Sequence, residues 1–137
     1  MMKMKTDLDN FDVSADAEKG ATLEIRHPVT DEVLRDDAGN PLTITLMGAD
    51  SRTFKRAVND IQMASSSRKK VSAAEVERNT VDALARATVG WSDNWTWGGK
   101  PFAFSAENCR KLYAERTWVR SQVDEFVADR SQFFTKA

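Results

Sequence analysis

The sequence predicts an α+β fold: an N-terminal β-hairpin or small meander followed by a bundle of about four α-helices, with helix dominating. Three observations carry that expectation. Apolar residues alternate with polar ones between Ala21 and Met47, the apolar spacing lengthens to three and four residues after Gly48, and a Trp- and Gly-rich break at 91–104 separates two helical stretches.

A chain of 137 residues has the length of one domain. We divide it into a flexible acidic leader over 1–20 and a single domain over 21–137. The leader is polar and acidic, with Leu8, Phe11 and Val13 set among Asp7, Asp9, Asp12, Asp16 and Glu18. Two readings stand for it: a disordered tail, and an acidic partner-binding arm with Leu8 and Phe11 as apolar anchors.

The hairpin occupies 21–48. Leu23, Ile25 and Val29 alternate with polar residues, as do Leu42, Ile44 and Leu46 with Thr43, Thr45 and Met47. Between the two runs, Arg35-Asp36-Asp37-Ala38-Gly39-Asn40-Pro41 holds turn-forming residues, and Pro28 belongs at a strand end or edge. A hairpin is not stable alone, so its apolar face must cover the helices that follow.

A helical pair is expected over 50–89. Asp50 or Ser51 caps a first helix whose stripe is Phe54, Val58 and Ile61, with Ala57 and Ala64 beside it. Ser72-Ala73-Ala74-Glu75 has the S-x-x-E pattern of a capping box and opens a second helix, with Val76, Thr80, Ala83, Leu84 and Ala87 on one face, which Gly90 should stop. Residues 91–104 are expected as a Trp-rich loop. The C-terminal helices fill 105–134: one capped by Ser105, bringing Cys109, Leu112 and Tyr113 together, and, after a break at Arg116-Thr117, one from about Trp118 to Phe133.

Composition removes most chemistry. One cysteine, Cys109, cannot form an internal disulfide, and one histidine, His27, cannot pair with another in a metal cluster. His27 beside Pro28 reads as a turn residue, and Cys109 as a small apolar residue on an inner helix face. The carboxylate pairs Asp36-Asp37 and Asp124-Glu125 are adjacent and point apart, and Gly98-Gly99-Lys100 lacks the G-x-x-x-x-G-K-[ST] spacing of a phosphate loop. No catalytic residue, cofactor or metal is expected, and the chain reads as not an enzyme. Nor does it contain the ~18 consecutive apolar residues of a membrane span, or a secretory signal at its N-terminus, which places it in a cytosol.

The formal net charge of −1 argues against nucleic acid as the main partner, although Arg68-Lys69-Lys70 with Lys55, Arg56 and Arg78 makes a basic patch. That total hides an asymmetry. Residues 1–50 hold five Lys/Arg against eleven Asp/Glu, and the remainder holds fifteen against ten, so the head should attract the body or other copies. The Trp-rich loop offers candidate protein-binding residues: Trp91, Trp95, Trp97, Phe102 and Phe104, flanked by Trp118. Such rings either plug the core of a small domain or form an interface.

Several phrases follow one another in a set order: Leu46-Met47-Gly48-Ala49-Asp50-Ser51 leading into a helix with Phe54; Ala87-Thr88-Val89-Gly90-Trp91; Lys100-Pro101-Phe102-Ala103-Phe104-Ser105-Ala106-Glu107-Asn108; and Val123-Asp124-Glu125-Phe126-Val127-Ala128-Asp129-Arg130-Ser131-Gln132-Phe133-Phe134. This ordered set resembles the tail assembly chaperones of long-tailed bacteriophages, over residues from about 22 to 134. Trp95-Thr96-Trp97-Gly98 is richer in tryptophan than the family pattern, and Thr117-Trp118 stands where a proline-bearing step is expected. The resemblance implies a non-enzymatic protein of the host cytoplasm that binds the tape-measure protein and helps recruit tail-tube subunits during tail assembly. The alternative is a structural virion protein, such as a head–tail joining or tail-completion subunit.

Overall fold

The computed structural model describes residues 7–65 and 72–134, with the side chain of Ser65 also outside the description. In chain order its elements are a 3-10 turn (Leu8–Phe11), α1 (Val13–Lys19), β1 (Ala21–Glu24), β2 (Thr43–Leu46), α2 (Arg52–Ser65), α3 (Ala73–Arg86), β3 (Thr88–Trp91), β4 (Thr96–Trp97), β5 (Lys100–Pro101), α4 (Ala106–Glu115), α5 (Thr117–Ala128) and a 3-10 turn (Arg130–Gln132). The α+β architecture is as the sequence predicts: α2 to α5 are the four expected helices, and α1 is a fifth.

Strands β1 and β2 pair antiparallel, with Leu23 opposite Ile44 and Thr22 opposite Thr45. Between them the chain makes a nested excursion rather than a third strand, held by isolated bridges of Arg26 with Val33 and Arg35 with Pro41. The third strand comes from further on: β3 pairs antiparallel with β2, giving the order β1-β2-β3. This corrects the expectation of a helix running to Gly90. Helix α3 ends at Arg86, because Thr88, Val89 and Trp91 favour the extended backbone and β2 offers an open edge. The Thr88 hydroxyl is within bonding distance of the Leu84 carbonyl at 2.8 Å and of the Tyr113 hydroxyl at 2.7 Å, so the strand is tied to both α3 and α4 where it starts.

Serines cap three helices, their hydroxyls accepting from backbone N–H groups. Ser51 accepts from Phe54, Ser72 from Glu75 and Ser105 from Asn108. The sheet buries Ile44 and Leu46 completely, and Cys109, Leu112, Tyr113, Val119, Val123 and Val127 meet them from α4 and α5. Gln122 fixes α5 to the sheet end, accepting from the Arg26 N–H and donating to the Arg26 carbonyl, both at 2.8 Å.

The leader is not a flexible tail over its described part. Ala17 of α1 is 1% exposed, and its carbonyl accepts from the Gly48 N–H at 3.0 Å. Glu18 accepts from both the N–H and the hydroxyl of Thr53, each at 2.9 Å, and so supplies donors at the start of α2 with a partner. Helix α5 also stops short of Phe133: the extended backbone of Asp129 breaks it, and the Asp129 carboxylate caps the closing turn by accepting from the Ser131 N–H.

Candidate functional site

The residues singled out for chemistry take structural positions. Nδ1 of His27 accepts from the N–H groups of Val29 and Thr30, both at 3.1 Å, and so organises the turn after β1. Cys109 is fully buried beside Thr88 and Tyr113, and burial pushes its thiol above the usual range. Burial raises the Tyr113 phenol as well. Gly98 and Gly99, both at positive φ, form the two-residue turn of the β4–β5 hairpin, with Trp97 opposite Lys100. Among the described residues no group of three or more His, Cys, Asp or Glu is placed to hold a metal ion. The patch Arg68-Lys69-Lys70 lies outside the described residues, while Lys55, Arg56 and Arg78 are exposed.

The Trp-rich segment folds on itself. Trp91 is the hub, with ring centroids 5.5 Å from Trp95, 5.5 Å from Phe102 and 5.1 Å from Phe104, the last edge-on. Phe102 also lies 5.0 Å from Trp97. The indole N–H of Trp91 donates to the Phe102 carbonyl at 2.9 Å and that of Trp95 to the Thr43 carbonyl at 3.2 Å. The six candidate residues therefore divide. Trp95 and Phe102 are buried and belong to the core, whereas Trp91, Trp97 and Trp118 are half-buried and Phe104 is exposed.

A cleft of about 270 Å³ opens where the segment meets α4 and α5. Trp97 and Trp118 form its walls, and Leu34, Leu42, Phe102 and Leu112 line its apolar interior. Its rim is basic: Lys111 Nζ stands 4.9 Å and Arg116 Cζ 4.5 Å from the centroid of Trp97, both in cation–π range. Lys100 lies across the β-turn from Trp97.

A second concavity, of about 380 Å³, runs between α2 and α3. Phe54, Val58 and Ile61 of α2 face Val76, Ala83 and Leu84 of α3 across it, and Asn79, Thr80 and Asp124 supply polar positions. These are the two stripes the sequence shows, and their full burial against one another is the natural expectation. They do not close. Phe54, Val58 and Ile61 stay half-buried, and Val76 is 54% exposed. Sequence reasoning finds the stripes and misses the groove, because periodicity marks the apolar face of a helix without saying how far two such faces splay.

Among the described residues no helix is long and apolar enough to cross a membrane. Against known proteins, no protein-family model, no curated protein and no solved structure matches the chain.

Proposed function

We propose that this chain is a tail assembly chaperone of a long-tailed bacteriophage: a non-enzymatic protein of the host cytoplasm that binds the tape-measure protein and helps recruit tail-tube subunits. The observation that supports this reading is the open groove between α2 and α3. A half-buried row of Phe54, Val58 and Ile61 opposite an exposed Val76 suits a helix that lays its own apolar positions, three and four residues apart, into the groove. A groove of this size covers a few client side chains at a time, and weak contact repeated along a long helical client gives occupancy with easy release. The resemblance of the ordered phrases between residues 22 and 134 to the chaperone family is what suggests a tape-measure protein as that client.

The test is co-expression with helical segments of a candidate tape-measure protein, followed by co-purification. Val76→Glu, at an exposed position, should leave the far-ultraviolet circular dichroism unchanged and abolish capture. Capture that survives Val76→Glu and Val58→Glu together, in a folded protein, would overturn the groove as the client site.

A further inference from the structure

We propose that Asp124 makes the groove between α2 and α3 selective for helices that carry Lys or Arg beside their apolar stripe, and against helices that carry Asp or Glu there. The inference rests on the groove being the client site and names the chemistry of what that site accepts. Among the described residues, Asp124 is the one charged side chain that lines the groove, on a wall supplied by α5 and facing the apolar floor of Phe54, Val58, Ile61 and Leu84. Its neighbour Glu125 does not line it, so the adjacent carboxylates have one member at the site and one away from it. Asp124 is also uncommitted, since the ion pairs among the described residues engage Asp16, Asp50, Asp60, Glu77 and Asp82 instead.

The cations nearby are committed or turned elsewhere. Arg120, one turn before Asp124 on α5, holds Glu77 at 3.0 Å and donates to the Tyr113 carbonyl at 3.3 Å. Arg86 holds Asp60 at 2.9 Å. Lys55 and Arg56 are exposed on α2, and neither lines the groove. Asn79 adds a second free polar group: it is half-buried between the two helices, and its side-chain amide has no hydrogen bond among the described residues. The Thr80 hydroxyl differs, because it donates to the Val76 carbonyl at 3.0 Å. Among the described residues no buried side-chain nitrogen or oxygen lacks a partner, so the Asp124 carboxylate and the Asn79 amide are open to solvent. A helix laid over Phe54, Val58, Ile61 and Val76 takes both out of water. A carboxylate covered without compensation is costly, whereas an ammonium or guanidinium at the same place pairs with it. A helix with its own carboxylate there brings like charges together, so the groove rejects as well as attracts. The Asn79 amide both donates and accepts, which leaves the sign of the charge to Asp124.

The test uses the full chain and three fluorescein-labelled designed helices, each about 20 residues long, with the same Leu positions three and four apart and with Lys, Gln or Glu at every position flanking that stripe. Asp124→Lys and Asp124→Asn alter the groove, and Glu125→Lys controls for net charge; both positions are exposed, and each variant should keep its far-ultraviolet circular dichroism. Fluorescence anisotropy should rank the peptides Lys, Gln, Glu on the unaltered chain, with about tenfold in affinity between the first and the last. Asp124→Asn should compress that range, Asp124→Lys should invert it, and Glu125→Lys should leave the order standing. Inversion by Glu125→Lys as readily as by Asp124→Lys, or an order that Asp124→Lys does not change, would overturn the role of Asp124 while the groove still binds helices. A different failure belongs to the groove itself: no binding of any peptide, or binding that survives Val58→Asn with Val76→Asn in a folded protein, would overturn both readings. Self-association that the Lys-flanked peptide reverses and the double Asn variant lacks would give the groove to a second copy and likewise overturn the proposal.

Discussion

Gly48 and Phe133 are in direct contact: a Cβ on Gly48 would stand 2.9 Å from Cδ2 of the Phe133 ring and 3.0 Å from the Cβ of Ala17. The missing side chain is what lets the first helix and the last aromatic turn close over the start of α2. Gly48→Ala should therefore destabilise the protein by about 1–3 kcal/mol through overpacking. Urea unfolding checks this, and amide exchange should localise the loosening to α1 and residues 130–134.

Acid should undo the same corner. The Thr53 backbone N–H holds the Glu18 carboxyl below its ordinary 4.5, and Arg130 holds that of Asp50 below 3.8. A depressed folded-state value means that the stabilisation is complete above the ordinary value and is lost as pH falls through the folded-state one. The urea midpoint should thus drop on acidification from about pH 6 to about pH 3, a range that brackets ordinary carboxylate values. Glu18→Gln should lower the midpoint at the upper pH and flatten the slope.

The two tryptophans that flank Thr96 should respond differently to truncation. Trp95 is 7% exposed and donates to the Thr43 carbonyl, so Trp95→Ala should cost about 3–5 kcal/mol. Trp97 forms a wall of the cleft, and Trp97→Ala should cost only about 1–2 kcal/mol. Thermal unfolding of the two variants distinguishes core from rim.

Between α3, α4 and the sheet, the Tyr113 hydroxyl meets Thr88 at 2.7 Å. Thr88 keeps its bond to Leu84 when the phenol is removed, so Tyr113→Phe should cost about 0.5–1.5 kcal/mol. Cys109, fully buried against this pair, should resist thiol reagents in the native protein and react once urea unfolds it.

The four helices of the body and the β1–β2 pair were legible because each rests on local signals: period-two alternation, stripes at three and four residues, and serines before Phe54, Ala73 and Ala106. What escaped depends on partners far away in sequence. Helix α1 has few apolar residues, and it docks because Ala17 meets Gly48 and Glu18 meets Thr53. Residues 88–91 carry β-branched and aromatic side chains, yet only the free edge of β2 makes them a strand. At the candidate site, composition marked the aromatic segment but not that Trp95 and Phe102 are core. It also showed the stripes of α2 and α3 without the groove between them.

If the proposed function holds, this chain serves assembly without becoming part of the product. Quantitative mass spectrometry of tail-assembly intermediates and of purified virions, from a long-tailed phage that carries this sequence, decides the point. Several copies for each tape-measure molecule are expected on intermediates and none in finished particles. A fixed copy number in the finished virion would contradict that function and make the chain a structural component.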